Sequence, residues 1–453
     1  MKPELQIAER INNMVNVSKF YIMMMCAAVL MTGCGQTEEP VKETVVTDVI
    51  QENEEPVTEE PEVSAEEPEV SVEEPVIHPI VENGIDYLSF DGISLEPSAS
   101  IAMVAENSEN PYWDVVKKGA FQAIEDLNSA LGYSGKSKIS LSFDAPDDED
   151  VIEQINIIDQ FLDKAPDALC VAFSDASACK TQMQMAKNNG IKMLAFDTSD
   201  DSRVTETAIG TDNNAAATQA AAKMYEAINY EGKVAIIVHN SLTQTGQERK
   251  QAIINELAAN YNDKNIKFVD IVYLAQEDRT QDEILNELLE RNPDLAGIIC
   301  TDLITTEMVI DYAKKQEEVS FKIVGFDVSE KIVSEVGGLL EGTVAQDPYG
   351  IGYATIVAAA RSIAGMENAE SIYTAHQWID QKNLESEEVQ ALLNYSKWLL
   401  NELYEDYINR SESKNKNIED IQYIGCGFKS ITLRVGDNIL KIDIKNIKVY
   451  IDK

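Results

Sequence analysis

At 453 residues, 44% of them hydrophobic, the chain is long enough for two or three domains with buried cores. A formal net charge of -42 sets it against nucleic acid, whose phosphates would repel it. Its three histidines, His78, His239 and His376, stand too far apart in sequence for a His-rich metal centre, so neither a metal nor any other cofactor is expected.

In chain order, Lys19 is followed by an apolar stretch from Phe20 to Leu30, too short to span a bilayer and typical of a signal peptide's hydrophobic region. It runs into Met31-Thr-Gly-Cys34, which resembles a bacterial lipobox. The resemblance implies that residues 1–34 are a lipoprotein signal and that Cys34 is the lipidated first residue of an extracytoplasmic protein, anchored to the outer face of the bacterial cytoplasmic membrane. The acids ahead of Lys19 are out of place in a signal, which makes Met14 an alternative start. Residues 35–97 read as an acidic Pro/Glu-rich linker, with the seven-residue repeat Glu59-Glu-Pro-Glu-Val-Ser-Ala65, Glu66-Glu-Pro-Glu-Val-Ser-Val72. Repeated prolines deny regular helix and like charges prevent collapse, so a disordered, extended tether is expected.

Ser100 to Trp113 then reads as strand, loop and the start of a helix: Ile101 to Ala105 is apolar, Asn110-Pro111 is a turn signal, and helical apolar spacing begins after it. The loop lies at the carboxyl end of its strand, where open α/β sheets bind ligands, which makes Glu106, Asn110, Tyr112 and Trp113 ligand candidates. Beyond it apolar runs recur at 139–143, 168–173, 193–196, 208–210, 234–238, 268–274, 296–300, 323–326 and 343–345. Helical patterns separate most of them, at 115–127, 151–162, 215–228, 249–259, 281–289 and 306–315. Strands alternating with helices of this length imply parallel sheets covered on both faces, with strands enough for two. Glu106, Asp144, Asp197, Asp212, Asp302, Asp327 and Gln346 each follow on an apolar run, Asp212 and Asp302 after one threonine, so polar and mostly acidic side chains gather on the carboxyl rim. Asp144 and Asp212 read equally well as helix N-caps. Cys170 and Cys300 sit in strand-like runs as small core residues, and no spacing supports a disulfide.

From about Ser100 to Gln381 the sequence resembles the type I periplasmic binding proteins of the ribose and galactose class, the solute receptors of sugar ABC transporters. The resemblance is carried by pieces standing in family order: Ser100-Ile-Ala-Met-Val104, Asn110-Pro-Tyr-Trp113, Leu194-Ala-Phe-Asp197, Gly210-Thr-Asp-Asn213, Gln247-Glu-Arg249, Ile299-Cys-Thr-Asp302, Ile323-Val-Gly-Phe-Asp327 and Gly342-Thr-Val-Ala-Gln346. It implies an α/β fold of two Rossmann-like lobes with parallel sheets. Residues 98–211 with 347–376 would form the first lobe and 212–346 with 377–384 the second, joined by a three-crossing hinge near Thr211-Asp212, Gln346-Asp347 and His376. It implies a monomer that is not an enzyme, closes on a sugar or related polyol, and hands it to an ABC permease. Carried over residue by residue, the ligand positions are Glu106, Asn110, Tyr112, Trp113, Asp197, Arg249, Glu277, Asp302, Asp327 and Gln346. Their chemistry suits a polyol: carboxylates accept from neighbouring hydroxyls, Arg249 offers a planar fork of donors, and the aromatic pair offers flat apolar faces.

Glu106, Thr198, Glu277 and Asp302 depart from the ribose-type pattern, each toward a more negative cleft. A different sugar, an amine-bearing or furanosyl signalling molecule, or an output to a sensor kinase or chemoreceptor therefore stay open beside sugar import. Glycoside chemistry would need two carboxylates acting as acid and base. Beyond about Glu385 the resemblance ends. Residues 385–453 read as a small extension of unknown role, helical over 389–408 and then alternating like short strands around a turn at Gly436-Asp437-Asn438. Gly350-Ile-Gly352 opens a helix and reads as a close-packing signal in preference to a phosphate loop.

Overall fold

The computed structural model describes residues 78–147, 150–199, 204–274, 279–390 and 392–393, and the backbone of four strands between 421 and 452. The signal segment with Cys34, the acidic repeats, Glu277 and most of the 389–408 segment lie outside the described residues.

In chain order the strands are β1 (Val81–Glu82), β2 (Ile85–Asp86), β3 (Ser100–Val104), β4 (Ser140–Asp144), β5 (Ala168–Val171), β6 (Lys192–Phe196), β7 (Ala208–Thr211), β8 (Glu231–Val238), β9 (Asn265–Tyr273), β10 (Leu295–Cys300), β11 (Lys322–Phe326), β12 (Leu340–Gln346), β13 (Ser371–Thr374) and β14 (His376–Ile379). The helices are α1 (Tyr112–Leu131), α2 (Val151–Lys164), α3 (Lys180–Asn188), α4 (Asn213–Ala227), α5 (Gln244–Asn260), α6 (Gln281–Arg291), α7 (Leu303–Ala313), α8 (Glu330–Glu335) and α9 (Pro348–Ile363).

Two six-stranded sheets result, in the orders β13-β7-β6-β5-β3-β4 and β14-β12-β11-β10-β8-β9. The first is parallel throughout, and the second is parallel except for β14, which runs antiparallel to β12. Each sheet has the same internal order, its second strand outside its first, so each has one topological switch point, between β3 and β5 and between β8 and β10. The chain leaves the first sheet after Thr211, returns after Gln346 and passes again from β13 to β14.

Strands buried on both faces explain the continuous apolar runs. In β3, Ile101 and Met103 pack into one cluster with α1 and α9, while Ala102 and Val104 pack into the other with α2 and α3. In the second lobe Ala235 and Ile237 face α6 and α7, and Val234, Ile236 and Val238 face α4 and α5. The helices α1 and α9 meet backbone to backbone: a Cβ on Gly352 would collide with the carbonyl of Val116, and one on Gly119 with the carbonyl of Tyr349. The glycine pair at 350 and 352 thus serves packing and capping, Gly350 lying against the carboxylate of Asp347.

Three expectations change. The acidic linker was expected to run to residue 97, but Ile80, Tyr87, Ile93 and Leu95 are buried in the first lobe's core and β1 and β2 form a hairpin, so the fold takes up the chain by residue 80. The extension expected from residue 385 likewise begins inside that core, with Val389, Leu392 and Leu393. Asp212 caps α4 by accepting from the N–H of Ala215 at 2.9 Å, but no helix begins at Asp144, which ends the edge strand β4. Farther along, Ile421–Gly427, Ser430–Val435, Asn438–Asp443 and Lys448–Asp452 form a four-stranded antiparallel meander, matching the alternation read there.

Candidate ligand cleft

Nine of the ten expected positions line one cavity: Glu106, Asn110, Tyr112, Trp113 and Asp197 from the first lobe, and Arg249, Asp302, Asp327 and Gln346 from the second. The tenth, Glu277, lies outside the described residues. Glu106, Asn110, Asp197, Asp302, Asp327 and Gln346 stand at or just beyond the carboxyl ends of strands, and Tyr112, Trp113 and Arg249 on the first turns of the helices that follow, all on the ligand-binding edge of the two sheets. The cavity encloses about 70 Å³. At about 10–15 Å³ for each water, that is the space of some five waters, the scale of one small polar molecule.

Two aspartates occupy corresponding corners. Asp197 follows β6 with φ 60° and Asp327 follows β11 with φ 66°. Each continues the ladder for one residue, its N–H donating to Ile209 O at 2.7 Å and to Val344 O at 2.8 Å respectively, before the chain turns through the left-handed region. Non-glycine residues seldom sit there, although aspartate and asparagine tolerate it best, and such positions cluster at ligand sites.

Around Asp327 a hydrogen-bonded chain spans the cleft. Gln346 Nε2 donates to Asp327 Oδ1 at 2.5 Å, and the N–H of Leu303 donates to Oδ2 at 2.9 Å. Gln346 Oε1 accepts from Arg249 Nη2 at 2.8 Å and from Thr211 Oγ1 at 2.7 Å. Arg249 also donates to Asn213 Oδ1 and Thr301 O, each at 2.8 Å, and its guanidinium lies 4.3 Å from the centre of the Phe326 ring. Stacked and bonded on three sides, this buried fork has little freedom to move. Across from it, Tyr112 Oη donates to Asp197 Oδ1 at 2.5 Å.

Burial pushes the Asp327 carboxyl up to about 6, opposed by Arg249 and by the bond from Gln346, with Asp302 and Asp197 adding to the rise. Burial also raises Asp197, against the bond from Tyr112 and the charge of Arg249. The Tyr112 phenol lies well above its usual range, first through burial and then through Asp197 and Asp327, so it stays a donor at neutral pH.

A family model described as a periplasmic binding protein domain matches residues 101–367. The chain belongs to that family. Among curated proteins no match is found. Among solved structures, it is similar to a carbohydrate transporter solute-binding protein from Agrobacterium radiobacter, in complex with D-arabinose, at 22% identity and TM-score 0.58, covering 68% of this chain and 100% of that one. An ABC transporter solute-binding protein from Agrobacterium vitis, bound with alpha-D-tagatopyranose, matches at 23% identity and TM-score 0.59 over 65% of this chain and 98% of its own. A glucose-galactose binding protein from Geobacillus stearothermophilus matches at 22% identity and TM-score 0.57 over 64% and 99%. At these identities the likeness is one of fold, the two-lobed type I fold.

Within this binding protein the expected residues take different parts. Asp302 is first a helix cap: Oδ1 accepts from the N–H of Thr305 at 2.9 Å and Oδ2 from the N–H of His239 at 3.2 Å. The side-chain oxygen of Asn110 accepts from the N–H of Tyr112 at 3.0 Å, fixing the first turn of α1. Trp113 is buried edge-on between Tyr112 and Phe196. Sequence reasoning missed His239, Asn240, Thr243, Thr245, Gly246, Thr301 and Ile304, which complete the lining. The rule that found the acids could have found His239 and Asn240, the first two residues after the apolar run 234–238.

Proposed function

We propose that this protein is an extracytoplasmic solute-binding lipoprotein, anchored through Cys34, that captures a monosaccharide or related polyol between its two lobes and delivers it to an ABC importer. The observation that carries the reading is the convergence of Asp197 with Tyr112 and of Arg249, Gln346 and Asp327 on one cavity, drawn from both sheets. Carboxylates and amide oxygens set around a small cavity suit a ligand with several hydroxyl donors, and the ring of Tyr112 or Trp113 suits its C–H face. The sugar complexes among the solved structures of this fold agree with that chemistry. The acidic tether fits an anchored receptor that must reach its permease.

A second reading keeps the receptor and changes the ligand. Glu106, Asp197, Asp302 and Asp327 share the cavity with Arg249, so an amine-bearing solute would relieve their mutual repulsion. Thermal-shift titration with pentoses, hexoses, amino sugars and small amines separates the two. Stabilisation by neutral sugars is the expected result, and stabilisation by amines alone would replace the sugar with a cation.

A further inference from the structure

The sugar reading leaves one cleft group without a task. Trp113 is only 5% exposed, yet it forms part of the cavity wall. Its ring stands edge-on to Tyr112, with centroids 5.1 Å apart, and to Phe196 at 6.0 Å. The indole Nε1–H is buried and has no acceptor among the described residues. The other described tryptophan behaves differently: Trp378 Nε1 donates to Asp380 Oδ2 at 3.0 Å. Leaving a buried donor unmade costs free energy, and an apolar platform alone would be served by phenylalanine without that cost. The same cavity holds the carboxylates of Glu106, Asp197, Asp302 and Asp327, yet the indole donates to none of them.

We propose that Trp113 is a specificity-determining hydrogen-bond donor, its Nε1–H giving to an oxygen of the bound ligand. The inference rests on the sugar reading and sharpens it. Asp197 and Asp327 require donors from the ligand, whereas Trp113 requires an acceptor, so the solute must carry both kinds of group close together. A hydroxyl or ring oxygen of a polyol does this. A simple alkylamine, which at neutral pH carries donors only, leaves the indole unsatisfied.

The experiment uses the full-length protein, with D-arabinose, D-fucose and D-tagatose titrated at up to millimolar concentration into wild type and Trp113→Phe by calorimetry. In parallel, the indole N–H resonances of wild type labelled with nitrogen-15 at tryptophan are followed, that of Trp113 being the one absent from Trp113→Phe. Trp113→Phe is expected to bind the tightest of the three sugars about tenfold more weakly, in line with the loss of one hydrogen bond. The apo melting temperature should be unchanged or higher, since an unmet donor has been removed. The Trp113 resonance should move downfield on saturation while that of Trp378 stays. Equal affinity in Trp113→Phe, or a Trp113 resonance unmoved at saturation, overturns the donor assignment and leaves the sugar reading standing. If wild type binds none of the three sugars, the sugar reading itself fails and this inference falls with it.

Discussion

Asp197 and Asp327 each lie one residue beyond a buried strand, at positive φ, so their backbone limits which substitutions are informative. Alanine there would add backbone strain to the loss of charge, whereas asparagine tolerates the left-handed region. Asp197→Asn is therefore expected to keep the apo melting temperature within a degree or two and to weaken sugar binding at least tenfold, read by calorimetry. Asp327 gives the binding a pH dependence. Its carboxyl, held at about 6 in the free protein, would accept from ligand hydroxyls, which favour the ionised form and lower its pKa in the complex. Affinity should therefore rise with pH through about 6, and at pH 5 be roughly tenfold weaker than on the plateau above neutrality, one pH unit being about 1.36 kcal/mol. The rim acids were legible in the sequence because each follows an apolar run directly or after a single threonine. Which of them reach the cavity followed from the family resemblance and not from that rule, and the bonds each makes there were not legible. Asp302 spends both oxygens on backbone N–H groups, and that depends on α7 beginning beside the end of β8, a tertiary fact.

At the scale of elements, the contact between α1 and α9 holds the first lobe together across the chain's return from the second. Gly352 lies against the carbonyl of Val116, so Gly352→Ala must push the helices apart. The expected loss is about 1–3 kcal/mol, as for other overpacked sites, measured by urea unfolding. Asp302→Asn keeps a capping side chain and should cost little, while Asp302→Ala should cost about 1 kcal/mol for the lost cap, by the same measurement. The long strands and helices were legible because strands covered on both faces are apolar throughout and their helices show a clear apolar stripe. The hairpin of β1 and β2 escaped notice: its strands are two residues each, and it follows an acidic tract whose composition hides Ile80 and Tyr87. The short helices α3 and α8 carry only two and one buried side chains of any kind, too few to set a period.

For the two-lobed body as a whole, burial of acids links stability to pH. Asp327 and Asp347, both buried, are pushed up to about 6 from a usual 3.8, in each case chiefly by desolvation. A raised carboxyl favours the protonated folded state, so its contribution is fully present below about pH 4 and is lost as pH rises through 6. Each accounts for on the order of 2–3 kcal/mol at most, at about 1.36 kcal/mol per pKa unit. Asp347→Asn retains an N-cap on α9 and should flatten the part of this fall due to Asp347, seen as a smaller difference between urea midpoints at pH 4 and pH 7. The two sheets and the passages between them were legible from the alternation and from the family resemblance. The meeting of the lobes around one cavity was legible through the family resemblance alone, because it depends on chain returns at Gln346 and Thr374 that no local pattern announces.

Hydrogen exchange with and without a binding sugar tests most directly whether a single solute is held by both lobes. Protection is predicted to rise together in the loops after β3 and β6 and in those after β8, β10 and β11. Protection confined to the loops of one sheet, or rising at neither, would contradict the account.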